Sequence, residues 1–362
     1  MSEPVREGAT QTAPTRGVAT RVLEVAAVVL SLMLAGLVVG AVWLVVQNAG
    51  PQSGSGTAVQ IEIKPGADTH AIALKLQAVG VIRSATVFRV RTRISGADGS
   101  LKPGVYDLTT GMSVGSAINV LKAGPPVTYA TVTIPEGFVI DQIAERLDTQ
   151  AGIPKDEFAG LAKSGAIQFA EKHPYLAGAY NGSLEGYLFP KTYRIKEGSS
   201  AREVIEMMLD QFDSEIARVD VEKATARGLT LNQLVTLASM IERESRLDSE
   251  RPLISSVIHN RLRTDSFLKI DATIQYVIGS NKFRLTNEDT KVDSPYNTYT
   301  RKGLPPGPIS NPGLKSLEAA AAPAETQLLY YVLTGKDGSH TFTTNLAEFL
   351  AAKKKSKQVF GE

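Results

Sequence analysis

Hydrophobic and polar positions change period several times along this chain, and each change marks an element. Val25 to Val46 holds no charged residue and, at about 22 residues, can cross a ~30 Å hydrocarbon layer as a helix. A cleaved leader would have a shorter apolar region, roughly 7 to 15 residues, before a small-x-small exit. Here the run ends in Trp43-Leu-Val-Val46 and Gln47, so an uncleaved transmembrane helix is expected over 22–46. Residues 1–21 show no apolar period and read as a disordered cytoplasmic tail. Residues 47–57, with Gly50-Pro-Gln-Ser-Gly-Ser-Gly56, have the composition of a flexible linker.

Beyond the linker a spacing recurs. Ile63-Lys-Pro-Gly66, Leu108-Thr-Thr-Gly111, Ile134-Pro-Glu-Gly137 and Ile195-Lys-Glu-Gly198 each set a glycine three positions after an aliphatic residue, and a helix-like run comes next. Ile72 and Leu76 stand at the same offsets from Ile63 as Ile143 and Leu147 from Ile134. The pattern predicts a repeated strand, glycine turn and helix, the glycine tolerating a turn without Cβ strain and the aliphatics forming a buried stripe. Irregular intervals argue against a solenoid. The expected class is α+β, with a small α/β module over 58–125 and a larger α/β domain over 126–362.

Charge and composition then narrow the chemistry. Lys plus Arg number 39 against 37 Asp plus Glu, a balance without the basic stripe of a nucleic-acid binder. There is no cysteine, which removes disulfides, thiol catalysis and thiolate metal sites. Phosphate-loop, zincin and dinucleotide patterns are absent, and His70, His173, His259 and His340 are scattered. Neither metal nor cofactor is expected, and carboxylates are the best candidates for proton transfer. Arg6, Arg16 and Arg21 precede the apolar run while the first basic residue after it is Lys64, a bias that puts the N-terminus in the cytoplasm and the rest outside.

The strongest carboxylate cluster closes a helix opened by a capping box, Thr230 with Gln233. On a helical wheel Leu234, Val235, Ala238, Ile241 and Ser245 share the core face, Glu242 lies just inside its margin and Glu244 flanks the opposite one. Both glutamates can overlook a cleft, although Glu242 with Arg246 also reads as an ordinary i,i+4 ion pair. Asp271 precedes a helix-like run, either as its N-cap or as a second carboxylate. Ser294 to Gly313 is rich in proline and glycine and reads as a functional loop rather than a core element. Tyr296, Tyr299 and Asn297 offer flat faces and an amide suited to acetamido sugars, or are plain surface residues.

Taken together, Leu184-Glu-Gly-Tyr-Leu-Phe-Pro190, Leu237-Ala-Ser-Met-Ile-Glu-Arg-Glu-Ser245, Val257-Ile-His-Asn-Arg-Leu262, Tyr296-Asn-Thr-Tyr-Thr300, Gly303-Leu-Pro-Pro-Gly307 and His340-Thr-Phe-Thr-Thr-Asn-Leu346 resemble, in order, the motifs of the endolytic murein transglycosylase (YceG-like) family. The resemblance implies a LysM-like peptidoglycan-binding module, a YceG-like catalytic domain and a single-pass protein of the bacterial cytoplasmic membrane. Its catalytic glutamate falls on Glu244; Ser245 replaces the usual threonine, and Ala272 stands after Asp271 where proline is usual. The implied reaction is a lyase reaction on nascent glycan strands. Glu244 protonates the glycosidic oxygen and then deprotonates the muramic 6-hydroxyl, leaving 1,6-anhydro ends and terminating elongation.

Under the same resemblance Glu242, Ser245, Asp271, Tyr296, Asn297 and Tyr299 bind substrate or support the site. Arg243 and Arg246 are expected to point away from Glu244, because either would lower its pKa. The implied partners are peptidoglycan strands and, beyond them, cell-wall synthases or division machinery. Two other classes stay open at this point: a non-catalytic peptidoglycan-binding anchor, and a hydrolase using Asp271 with Glu244.

Overall fold

The structure, a computed structural model, describes residues 17–48, 56–280, 282 and 284–361. Most of the expected tail (1–16) and of the expected linker (49–55) lie outside the described residues. The apolar run falls inside one helix, α1 (Val18–Asn48), which begins before residue 22 and so takes Arg21 into its first turns. Among the described residues α1 is the one helix long and apolar enough to cross a membrane, over Thr20–Trp43. It has the length and composition of a single-pass anchor. The chain divides into two compact units, Met1–Pro126 and Val127–Glu362.

After α1, the first unit runs β1 (Ala58–Ile63), α2 (Thr69–Ala78), α3 (Ala85–Ile94), β2 (Gly104–Thr109) and α4 (Val114–Ala123). β1 and β2 pair antiparallel from Ala58 opposite Thr109 to Ile63 opposite Gly104. Alternate strand positions share a face, so Ile61, Ile63, Tyr106 and Leu108 close on Ile72, Leu76, Phe88 and Ile118 as one core. Asp68, Ser84 and Ser113 cap the three short helices, each accepting from a backbone N–H in the first turn.

The second unit begins with the same order: β3 (Tyr129–Thr133), α5 (Ile140–Ala151), α6 (Lys155–Ser164), β4 (Thr192–Lys196) and α7 (Ala201–Ile216). Its antiparallel register puts Val132 opposite Tyr193, as the first unit puts Ile61 opposite Tyr106. Both tyrosine hydroxyls donate to the carbonyl four residues back, Lys102 at 2.6 Å and Phe189 at 2.5 Å. Gly66, Gly111, Gly137 and Gly198, one after each strand, have φ of +78°, +74°, +76° and +79°, backbone that L side chains resist. The recurring I-x-x-G spacing therefore marks a real strand, turn and helix unit in all four places.

The rest of the second unit is α8 (Val221–Ala226), α9 (Leu231–Glu244), α10 (Arg251–Arg263), α11 (Asp271–Ile278), α12 (Leu314–Ala321), the hairpin β5 (Tyr330–Leu333) and β6 (His340–Thr343), and α13 (Leu346–Phe360). The Thr230–Gln233 capping box is present. α9 is not two-faced, however: every residue from Leu234 to Ile241 is buried, because α8, α10, α11 and α12 pack around it. The proline-rich segment also departs from expectation. Gly307 to Gly313 is buried and tied to α9 by Ile309 N–H donating to Ser239 Oγ at 3.0 Å and Ser310 Oγ donating to the Ser239 carbonyl at 3.2 Å.

Leu147 on α5 is fully buried in the core of the second unit. Leu147→Ala should lower the unfolding free energy by about 2–5 kcal/mol, read as a shift of the urea midpoint at unchanged slope.

Candidate active site

α9 ends at Glu244, and Ser245 turns away in extended backbone as its C-cap. The carboxyl is partly buried, and three elements distant in sequence converge on it. Tyr331 of β5 donates its hydroxyl to Glu244 Oε2 at 3.0 Å. At the start of α11, Ala272 N–H reaches Glu244 Oε1 at 3.5 Å, and Asp271 lies close enough for its charge to act on Glu244. Arg261 of α10 is the cation whose field opposes Asp271 there. Burial first, and the Asp271 charge second, push the Glu244 carboxyl up to about 7, against the lowering effect of the Tyr331 and Ala272 hydrogen bonds.

Asp271 is the first residue of α11 rather than its cap; Ile270 occupies the cap position and makes no side-chain capping bond. Asp271 instead accepts the Tyr299 hydroxyl. The approach to it is held by Thr298, whose carbonyl accepts Lys269 N–H at 3.1 Å and whose hydroxyl accepts Ile270 N–H at 3.0 Å. Lys269 has φ +50°, a strained backbone of the kind that persists where surrounding contacts over-determine it. Tyr299 and Asp271 thus belong to the Glu244 neighbourhood.

Tyr296 lies elsewhere. It lines a cavity of about 650 Å³ together with Tyr180, Tyr276, Gln275, Glu185 and Arg243. Its ring is 5.1 Å from Tyr276 and 6.1 Å from Tyr180. Glu244 itself is not part of that wall, but Arg243, next to it in the chain, is. The loop from Tyr296 to Tyr299 therefore links the aromatic cavity to the carboxyl pair.

Asn297 does not face a ligand. It is fully buried, donating to the carbonyls of Thr290 at 3.0 Å and Val292 at 2.7 Å and accepting Tyr299 N–H at 2.9 Å. Its amide shapes the loop and has little capacity left for a sugar. Ser245 donates to the Leu247 carbonyl at 2.7 Å, fixing the chain past α9 rather than meeting the Glu244 carboxyl. Glu242 pairs with buried Arg251 at 3.1 Å, not with Arg246, and accepts Gly313 N–H at 2.9 Å. It holds the buried loop against α9. Arg246 lies over Gly338, and Arg243 donates to the Gly137 carbonyl at 3.3 Å while feeling both Glu244 and Glu185.

Sequence reasoning missed Tyr331, Arg261 and Glu185. Tyr330-Tyr-Val-Leu and then Gly335-Lys-Asp-Gly338 carry a hairpin signal, an aromatic and β-branched run before an Asp-Gly turn, that locates the strand bearing Tyr331. Arg261 sits in the Val257–Leu262 motif and Glu185 in the Leu184–Pro190 motif, neither with a local cue to its role. Glu185 is buried, accepts from Ile140 N–H at 3.2 Å and Asn311 Nδ2 at 2.8 Å, and is pushed by burial up to about 8.

A carboxyl raised toward neutrality beside a second carboxylate is suited to giving and then taking a proton, so the site on this α+β scaffold has the makings of acid–base chemistry. The chain belongs to the YceG-like family, whose model it matches over residues 61–355. It is 34% identical over 319 residues to a Bacillus subtilis protein named endolytic murein transglycosylase, covering 83% of this chain and 85% of that one. A Streptococcus pneumoniae protein of the same name is 30% identical over 312 residues, 79% of this chain but 56% of the longer relative. Among solved structures, a yceG-like protein from Listeria monocytogenes aligns at a TM-score of 0.57 and 32% identity, over 82% of this chain and 99% of that one.

Because the folded carboxyl of Glu244 titrates near 7 and an unfolded one near 4.3, the stability it contributes is complete below about pH 4.3 and is lost as pH rises through about 7. Glu244→Gln, neutral throughout, should gain roughly 2–3 kcal/mol over wild type between pH 5 and pH 8. Urea unfolding of both proteins at the two pH values checks this; parallel curves would contradict it.

Proposed function

We propose that this chain is a membrane-anchored peptidoglycan lytic transglycosylase that cuts the MurNAc–GlcNAc bond within nascent strands, with Glu244 as sole acid and base. The observation that carries the reading is the Glu244 carboxyl raised to about 7 by burial and Asp271, in a family whose Bacillus subtilis relative is named endolytic murein transglycosylase. The proton of Glu244 passes to the glycosidic oxygen as the bond from that oxygen to the muramic C1 breaks. The muramic 6-hydroxyl oxygen then bonds to C1, and its proton returns to Glu244. Atoms balance without water, and the product is a 1,6-anhydro end.

The other residues divide around that step. Tyr331 fixes the orientation of the carboxyl and, by donating to it, favours the ionised form needed for the second half. Asp271, held by Tyr299, keeps the pKa high enough for the first half. Tyr296, with Tyr180 and Tyr276, gives an apolar surface against which a sugar ring can pack. Glu242, Ser245 and Asn297 hold the surrounding backbone. A LysM-like role in glycan binding for 58–125 is supported by its β-α-α-β order and leaves 126–362 as the catalytic domain. With Arg21 and the earlier arginines on the cytoplasmic side, the tether keeps activity near the bilayer, where synthases or division proteins would meet it.

A second reading, a two-carboxylate hydrolase, draws on the proximity of Asp271 to Glu244. Product ends distinguish the two. Mass spectrometry of peptidoglycan digested by the full chain in detergent should find anhydro ends, reduced at least ~100-fold by Glu244→Gln. Reducing ends would favour the hydrolase, and strands bound but uncut by both proteins would leave a binding anchor. Tyr331→Phe removes a hydrogen bond that lowers the Glu244 pKa, so the basic limb of its kcat/KM profile should move to higher pH; a limb that stays in place would separate Tyr331 from the acid.

A further inference from the structure

Away from Glu244, His173 stands before the 3-10 turn Pro174–Gly178 and faces Asp210 and Asp213 on α7. Its imidazole is fully buried. Nδ1 lies 2.7 Å from Asp213 Oδ2, and since a carboxylate only accepts, the ring proton belongs on Nδ1. The other oxygen of Asp213 accepts the Tyr175 hydroxyl at 2.8 Å. Nε2 is thereby left as an enclosed lone pair with no hydrogen-bond partner in the protein.

Facing that lone pair is another acceptor. Asp210 Oδ1 is 3.7 Å away, too far for a hydrogen bond and of the wrong polarity for one. An N–H on Nε2 would stand at the same 3.7 Å, beyond hydrogen-bond reach, with only its charge to face Asp210. Two ligands of a single zinc, each roughly 2.0–2.2 Å from it, can stand up to about 4.4 Å apart, so the gap suits a cation. A carboxylate that orients the imidazole from its far nitrogen is also the usual support of a metal-bound histidine, and ligand atoms of all three residues lie within 4.8 Å of one another.

We propose that His173 Nε2 and Asp210, supported by Asp213, bind one divalent transition metal of the zinc class. An imidazole nitrogen with carboxylate oxygen favours such an ion over calcium or magnesium. Lys172 is the competitor: its Nζ is 2.5 Å from Asp210 Oδ1, yet its side chain is 58% exposed and free to swing into solvent. The bound ion would clamp the Ala166–Gly182 region, which carries Tyr180, to α7. The four histidines gave no such signal in the sequence, because Asp213, the aspartate bonded to the ring, is 40 positions away.

The test is calorimetric titration of the untagged full chain, chelator-stripped in detergent, with Zn²⁺ and separately with Ca²⁺. One Zn²⁺ should bind per chain, about tenfold or more weakly in Asp210→Asn and Asp213→Asn, not detectably in His173→Gln, and more tightly in Lys172→Ala. Asp210 is half exposed on a helix face, so its variant keeps the test readable if the His173 variant fails to fold. Absence of Zn²⁺ binding, equal binding by Asp210→Asn, or Ca²⁺ binding of matching strength overturns the site.

Discussion

An ionisable carboxyl at the end of a helix enclosed on all sides is the constraint around which the second unit is organised. α9 is buried along Leu234–Ile241, and the residues at its C-terminus, Glu242 to Ser245, emerge from that core half-buried. The two glutamates there are resolved in opposite ways. Glu242 meets Arg251 and a backbone N–H, a paired buried charge that would be costly to break. Glu244 is desolvated beside a second acid, and these outweigh the Tyr331 and Ala272 donors, so its environment favours the proton over the charge. One turn of helix thus holds a structural carboxylate and an acid whose proton is exchangeable near neutrality.

Keeping that arrangement rigid falls to buried polar groups on loops. Asn311 uses its whole amide: Oδ1 accepts Gly186 and Leu188 N–H at 2.9 Å each, while Nδ2 donates to Phe138 O at 2.9 Å and Glu185 Oε1 at 2.8 Å. It joins the Leu184–Pro190 motif, the turn after β3 and the segment before α12 at one point. Thr298 does the same for the entry to α11. Fully satisfied networks of this kind specify one geometry, because any displacement strands a donor or acceptor in a low-dielectric interior. The hairpin that brings Tyr331 is anchored similarly: Glu250 accepts both the backbone N–H of His340, at 2.9 Å, and its Nδ1, at 2.7 Å, and the His340 ring meets Tyr331 edge-on at 5.7 Å.

The scaffold beneath is built twice. Both units use a two-stranded antiparallel pair with two helices between the strands and a third after them, with the same aliphatic-to-tyrosine register. A strand pair of this size buries too little to stand alone, and the helices after each glycine turn complete its core. The second copy differs in having room between α6 and β4 for the Ala166–Pro190 segment, which supplies Tyr180 and Glu185 to the cavity and His173 to the α7 face.

The sequence by itself determined the elements whose signals are local. The uncharged apolar run, the glycine after each strand, the Thr230 cap and the motif ending in Glu244 all depend on residues within a few positions of one another, where backbone sterics and side-chain periodicity act directly. Only the tertiary structure decided what each polar group does. Glu244 is coupled to Tyr331 across 87 positions and to Ala272 across 28; Asn297 is spent on its own loop; Glu242 chooses Arg251 over the nearer Arg246. Such assignments rest on burial and on charges brought together by the fold, and a pKa depends on those surroundings in space rather than on the order of residues along the chain.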